Sequence, residues 1–187
     1  KEEMKAAVLS MGRKAERLGV DIRMNTVVTP ELIREIHPHT VMNAIGAVPI
    51  VPPIPGKEKA FVVNSHDVLD GKTDINGNVV VIGGGMVGME TAEYLAEKGA
   101  KVTVLEMMKE FCADMGTTRK ICVTESIYAA GIHPVTEIKV TEIQDGKVLG
   151  EKDGKLMEFP CDYAVMAVGA VKRDGSALEK ACYDLGI

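Results

Sequence analysis

Three glycines carry the strongest chemical signal in this sequence. Gly83, Gly85 and Gly88 form a GxGxxG, placed directly after a short apolar run and at the start of a helical pattern. Such spacing meets a specific set of demands: a first glycine for a tight turn, a second where backbone approaches a pyrophosphate, and a third where helix packs closely on strand. The helix N-terminus beyond it offers free N–H groups and a favourable dipole to phosphate oxygens. Gly84, Met86 and Val87 complete that turn. A carboxylate stands where a dinucleotide site needs one: Glu106 ends the next strand, 23 positions after Gly83. It can accept hydrogen bonds from both ribose hydroxyls of an adenosine and would repel a 2′-phosphate, which argues for NAD over NADP. The other reading of Glu106 is a solvated residue at a strand end. Lys109, close by, either softens the NAD preference or faces solvent. Glu90 lies in the first turn of the helix, where a carboxylate serves the helix dipole without any function or helps seat a nicotinamide; both readings stay open.

Other chemistry finds little support. Cys112, Cys122, Cys161 and Cys182 contain no CxxC pair, so zinc and redox-dithiol readings give way to small apolar fillers in a reducing compartment. His37, His39, His66 and His133 are not spaced as a metal pair on a helix, and no metal ligand set is expected. No serine sits in a nucleophile elbow, and no catalytic residue is assigned. The net charge is −5 without a basic block, and aromatics are only 4% with no tryptophan; both speak against nucleic-acid partners. The longest apolar runs are too short to span a bilayer, and nothing resembles a signal peptide. The setting expected is cytoplasmic.

The elements that must position the glycine turn follow from periodicity. Met4, Ala7, Val8, Met11, Ala15 and Leu18 recur at helical spacing, with Gly19 ending the helix. Val20–Met24 and Thr40–Ile45 read as short strands. Thr29 and Pro30 read as N-cap and first position of a second helix. The proline-rich stretch from Pro49 to Gly56 excludes helix and central strand and reads as an extended connector with a domain boundary just after it. A short helix capped near Ser65 follows. From Asn78 the pattern alternates between β and α: a strand over 79–82 buried on both faces, a helix over about 87–98, a strand over 101–106 and a helix over about 118–130. Val135–Phe159 alternates apolar and polar residues around Asp145-Gly146 and Asp153-Gly154, which reads as a three-stranded antiparallel meander. A strand over 162–168 and a helix over 176–184 close the chain. The fold class is therefore α/β: a Rossmann-like parallel sheet flanked by helices, with an antiparallel three-stranded meander.

The stretch Val79–Met107 closely resembles the NAD(P)H-binding domain of two-dinucleotide flavoprotein reductases. Asn43–Pro49 resembles the A-T-G-x-x-P hinge of that superfamily, with Ile45 in place of the usual threonine. Pro53-Ile54-Pro55-Gly56 matches its PxIPG exit, and Ala167-Val168-Gly169 its second hinge. Leu18–Ile33, Phe61–Lys72 and Ala113–Gly116 are similar to NADH:flavin oxidoreductases of the 2,4-dienoyl-CoA reductase and 2-enoate reductase type. The resemblance covers nearly all 187 residues.

It implies a partial FAD-binding domain over 1–56, a connector over 57–77, an NAD(H)-binding Rossmann domain over 78–169 and the start of a return to the FAD domain over 170–187. Gly83, Gly85 and Gly88 would hold the NADH pyrophosphate and Glu106 the adenosine ribose. Glu90 and Gly169 would lie near the nicotinamide, while Asn25, Thr26, Val27 and Gly46 would border FAD. A parent enzyme would carry FMN and an iron–sulfur cluster upstream, and would pass electrons from NADH through FAD to an unsaturated acyl or enoate substrate. The chain alone would bind NADH without turnover. Its partners would be NADH, FAD, the remainder of the parent reductase and, through the exposed remnants, a second copy in a homo-oligomer. Two alternatives stand beside this: a disulfide reductase or NADH oxidase relative, and a non-catalytic dinucleotide-sensing module.

Overall fold

The computed structural model describes residues 2–187. It separates into two compact units, residues 46–173 and residues 1–45 with 174–187.

The larger unit is built on a parallel sheet. Its strands are β2 (Val62–Asn64), β3 (Asn78–Ile82), β4 (Lys101–Leu105) and β8 (Tyr163–Met166), in the order β2-β8-β3-β4. The meander consists of β5 (Lys139–Gln144), β6 (Lys147–Lys152) and β7 (Lys155–Pro160), all antiparallel. At its second turn both residues are left-handed, Asp153 at φ 52° and Gly154 at φ 72°, the pattern that matches the twist of paired strands. Three helices cover the other sheet face: α3 (Ser65–Leu69), α4 (Met86–Glu97) and α5 (Thr117–Ala129). Alternate residues of the central strands divide between two cores. Val79, Val81, Val104 and Val165 pack with Met89, Ala92 and Leu95 of α4. Val80, Ile82, Ala164 and Met166 pack with Ile138, Ile143 and Val148 of the meander side. Burial on both faces is why β3 reads as an unbroken apolar run rather than an alternation. Each of its valines contributes about 1.5–3 kcal/mol by leaving water.

Two further strands, β1 (Ala47–Pro49) and β9 (Ala170–Lys172), form an antiparallel ribbon. The short helix α3 is capped by the Asn64 side chain, which accepts from the His66 N–H, one residue earlier than the sequence predicts. The proline-rich connector docks on the meander: the Ile143 N–H donates to the Pro55 carbonyl at 2.8 Å.

The smaller unit holds α1 (Glu2–Arg17), α2 (Pro30–Ile36) and α6 (Ser176–Asp184). Thr29 caps α2 as expected, its hydroxyl accepting from the Leu32 N–H at 3.3 Å, and Gly19 ends α1 at φ 75°. The two strands expected here do not form. Val20–Met24 and Thr40–Ile45 are irregular, and Ile22, Met24, Met42 and Ile45 are exposed. A β segment needs a partner to satisfy its backbone, and no described strand runs beside either one. The strand near the hinge lies instead beyond Gly46, in β1, where β9 supplies the partner. The apolar stripe of α1 is likewise uncovered, with Met4 and Met11 both 70% exposed or more. Among the described residues no helix is long and apolar enough to cross a membrane.

Candidate functional site

The glycine turn joins the end of β3 to the start of α4, at the carboxyl edge of the parallel sheet. Gly83 donates its N–H to the Leu105 carbonyl at 2.8 Å and adopts φ 109°. A Cβ there would lie 2.4 Å from the Ala167 carbonyl oxygen. At Gly88 a Cβ would lie 1.9 Å from the Gly83 carbonyl oxygen, so helix and strand approach to a distance only glycine permits. Gly85 is different. It is the N-cap of α4 in extended backbone (φ −71°, ψ −179°), and a Cβ there would meet nothing within 4 Å. The open space at Gly85 would admit a phosphate group. Met86, Val87 and Gly88 fill the first three helical positions, ahead of the first intrahelical bond, which Met89 donates to the Gly85 carbonyl. Their N–H groups have no acceptor one turn back; those of Met86 and Val87 are left for a ligand or water, while Gly88 is buried against Gly83. Met86 is exposed and Val87 half-buried.

Gly84, buried at the centre of the turn, is held from both sides. Its N–H donates to Glu106 Oε2 at 2.6 Å, and its carbonyl accepts from the Cys112 N–H at 2.8 Å. The second carboxylate oxygen, Glu106 Oε1, accepts from the Met108 N–H at 2.7 Å. Glu106 is thus fixed in place at the strand end, half-buried. Each carboxylate oxygen has a further lone pair, so two hydroxyls can still be accepted. The Glu106 carboxylate, the open Gly85 and the free helix N-terminus together fit the acidic ribose contact and phosphate cradle of a dinucleotide. Cys112 itself is buried, which pushes its thiol pKa up. Sequence reading passed over Met108 and Cys112, because both act through backbone N–H groups that any residue carries.

The remaining candidates divide between the two units. Glu90 is exposed, and it is the fifth residue of α4 rather than part of the first turn. The helix begins at Met86, so the dipole argument for Glu90 lapses. Gly169 (φ 100°) and Gly46 (φ 78°) flank the β1–β9 ribbon: the Gly169 carbonyl accepts from the Ile50 N–H and the Gly46 carbonyl from the Arg173 N–H. Asn25, left-handed at φ 54°, Thr26 and the exposed Val27 belong to the smaller unit, where the Thr26 hydroxyl donates to the Met24 carbonyl. Lys109 is exposed. Of the cysteines read as apolar fillers, Cys112 and Cys161 are buried, while Cys122 is exposed and Cys182 half-buried. Glu93 of α4 is half-buried and accepts a hydrogen bond from the Ser126 hydroxyl. No group of three or more His, Cys, Asp or Glu among the described residues is placed to hold a metal ion.

Residues 11–185 match the family described as pyridine nucleotide-disulphide oxidoreductase. The chain belongs to that family. Its fold is the Rossmann-type dinucleotide-binding fold of NAD(P)H- and FAD-dependent flavoproteins. It is 40% identical over 176 residues to the NADH oxidase of Thermoanaerobacter brockii, covering 91% of this chain and 27% of that one. It is 38% identical over 170 residues to the bilirubin reductase of Mediterraneibacter gnavus (strain CC55_001C), covering 91% and 26%. Among solved structures it is similar to 2-naphthoyl-CoA reductase in complex with 2-naphthoyl-CoA, with a TM-score of 0.81 and 29% identity over 93% of this chain and 26% of that one. The chain therefore spans about a quarter of the length of these relatives. Family and fold make it a domain of a flavin- and NAD(P)H-dependent oxidoreductase.

Proposed function

We propose that this chain is the NADH-binding, electron-input portion of a longer flavoprotein reductase of the 2,4-dienoyl-CoA reductase and 2-enoate reductase type. In this reading residues 78–169 bind NAD(H), residues 57–77 connect, and residues 1–56 and 170–187 belong to an FAD-binding domain. The observation that carries the coenzyme choice is the Glu106 carboxylate, held by the Gly84 and Met108 N–H groups beside the open Gly85. The turn from Gly83 to Gly88 receives the pyrophosphate at Gly85 and through the N–H groups that open α4, those of Gly83 and Gly84 being taken up by Leu105 and Glu106. Glu106 accepts the ribose hydroxyls, and its charge repels a 2′-phosphate. Glu90 and Gly169 border the nicotinamide, while Asn25, Thr26, Val27 and Gly46 border FAD. When bound, NADH supplies a hydride and the flavin accepts it, so the protein's own work is binding and orientation. The parent enzyme carries FMN and an iron–sulfur cluster outside this chain and reduces an unsaturated acyl or enoate substrate. Similarity to a reductase holding 2-naphthoyl-CoA supports that substrate class. The 40% identity to an NADH oxidase favours a second reading, in which the same input feeds a different acceptor.

Calorimetric titration with NADH and, separately, NADPH tests the coenzyme choice. Binding of NADH about tenfold tighter or more is expected, with Glu106→Gln narrowing the gap. Tighter binding of NADPH would refute the role given to Glu106.

A further inference from the structure

The Glu106 carboxylate depends on the Met108 N–H, and that N–H sits on an exposed peptide. Met107 and Met108 are 63% and 56% exposed, so side-chain packing does not hold the peptide between them. What holds it is the chain on either side, bonded to a strap, Val135–Ile138, running alongside. Glu106 donates its N–H to the Val135 carbonyl at 2.8 Å and accepts from the Ile138 N–H at 3.0 Å. The Met108 carbonyl accepts from the Glu137 N–H at 3.0 Å. To make that bond Glu137 takes a left-handed conformation, φ 58°, which costs a non-glycine residue about 1 kcal/mol or more and persists only where its surroundings enforce it. The surroundings are supplied from the last residue of β6. Lys152 reaches across the strap, donating from Nζ to the Thr136 carbonyl at 2.8 Å, with Glu137 Oε2 at 3.9 Å. Below, Ile138 anchors the strap in the meander-side core against Gly150, where an added Cβ would lie 2.7 Å from Ile138 Cγ1.

From this geometry we infer that Lys152 is a positioning residue for coenzyme choice: through the strap it holds the Met108 N–H against Glu106 and so fixes the carboxylate that reads the ribose. The inference rests on the reading of Glu106 given above and adds a control point on a different structural layer, the meander. Loss of the ammonium frees the Thr136 carbonyl and removes the cation beside Glu137. The strap residue can then relax from its left-handed conformation, the Met108 carbonyl loses its donor, and Met108, freed on that side, carries its N–H away from Glu106 Oε1. The carboxylate keeps its bond to Gly84 but gains freedom to swing, which weakens the ribose contact and its discrimination against a 2′-phosphate together.

The test measures dissociation constants of NADH and NADPH for the wild-type protein, Lys152→Met, Lys152→Arg, Glu106→Gln and the Lys152→Met/Glu106→Gln pair. Wild type must first prefer NADH; if it does not, the coenzyme reading falls and this inference with it. Given that preference, Lys152→Met is expected to weaken NADH about fivefold and to narrow the NADH-over-NADPH ratio by about threefold. Lys152→Arg, which keeps a cationic donor, is expected to restore the ratio. The double variant is expected to bind no worse than Glu106→Gln alone, because both changes act through one carboxylate. A purely structural lysine would lower the melting temperature and leave the ratio where it was. An unchanged ratio in Lys152→Met, or additive losses in the double variant, would overturn the inference. Should Lys152→Met not fold, Lys152→Leu, which also removes both the donor and the charge, carries the same comparison.

Discussion

Gly85 and Gly88 stand three residues apart in one turn, and the structure gives them opposite consequences when each is changed to alanine. At Gly88 the new methyl would sit 1.9 Å from the Gly83 carbonyl oxygen, against the 3.0 Å that real Cβ contacts essentially never undercut. Both sides of that contact are backbone, so α4 must move outward by more than 1 Å relative to β3 (3.0 less 1.9). Overpacking of this kind costs about 3 kcal/mol at the upper end of its range, and the helix-propensity gain of alanine over glycine returns about 1 kcal/mol. The net loss of about 2 kcal/mol corresponds to a melting temperature lower by about 4–8 °C for a chain of this size. At Gly85 the methyl meets nothing within 4 Å and the backbone is already extended, so stability should stay within about 0.5 kcal/mol. That methyl instead fills the space proposed above for the pyrophosphate, and on that proposal NADH binding should weaken by about tenfold or more, about 1.4 kcal/mol. Circular-dichroism melts and NADH titration of both variants check the pair. Wild-type NADH affinity in Gly85→Ala would refute the assignment of that space to phosphate. An unmoved melting temperature in Gly88→Ala would refute the packing argument.

Two further outcomes follow from the same unit. Gly56→Ala should be severe, because Gly56 adopts φ 87° and its Cβ would lie 1.9 Å from the Ile143 carbonyl oxygen; a loss of about 3 kcal/mol or more is expected, and a melt within 2 °C of wild type, on the order of 1 kcal/mol or less, would contradict it. Burial pushes the Cys161 thiol up to about 11. Its unfolded counterpart ionises first, near pH 8.5, so above that pH the unfolded state binds fewer protons than the native one and stability falls as pH rises toward 11. The melting temperature of Cys161→Ala should decline less steeply over that alkaline window than that of wild type, and parallel slopes would contradict the assignment.

Much of the site is legible in the sequence because its logic is local. A strand, three spaced glycines and a helix are consecutive, so the turn shows in the spacing itself; Gly88 answers to Gly83 five positions back, while Gly83 faces the Ala167 carbonyl and Gly85 open space. The same holds for the Thr29-Pro30 helix start and for the Asp153-Gly154 turn, where a few adjacent residues determine the backbone. Glu106 was reachable from one strand further on because the length of a β-α-β unit is nearly constant.

Sequence alone therefore determined the α/β class, the glycine turn and the acidic strand end. Tertiary structure decided which apolar runs become strands. Val20–Met24 and Thr40–Ile45 have strand-like composition, but a strand exists only through hydrogen bonds to another strand, and periodicity carries no record of whether a partner lies alongside. Conversely β9, three exposed residues without a pattern, is a strand because β1 lies opposite it. Tertiary structure also decided how Glu106 is held. The Met108 N–H bonds its carboxylate, the Cys112 N–H holds the neighbouring Gly84, and the Val135–Ile138 strap and the Lys152 ammonium act on backbone atoms across up to 46 positions of chain (106 to 152). Backbone donors leave no mark on residue type, so only the folded arrangement assigns them.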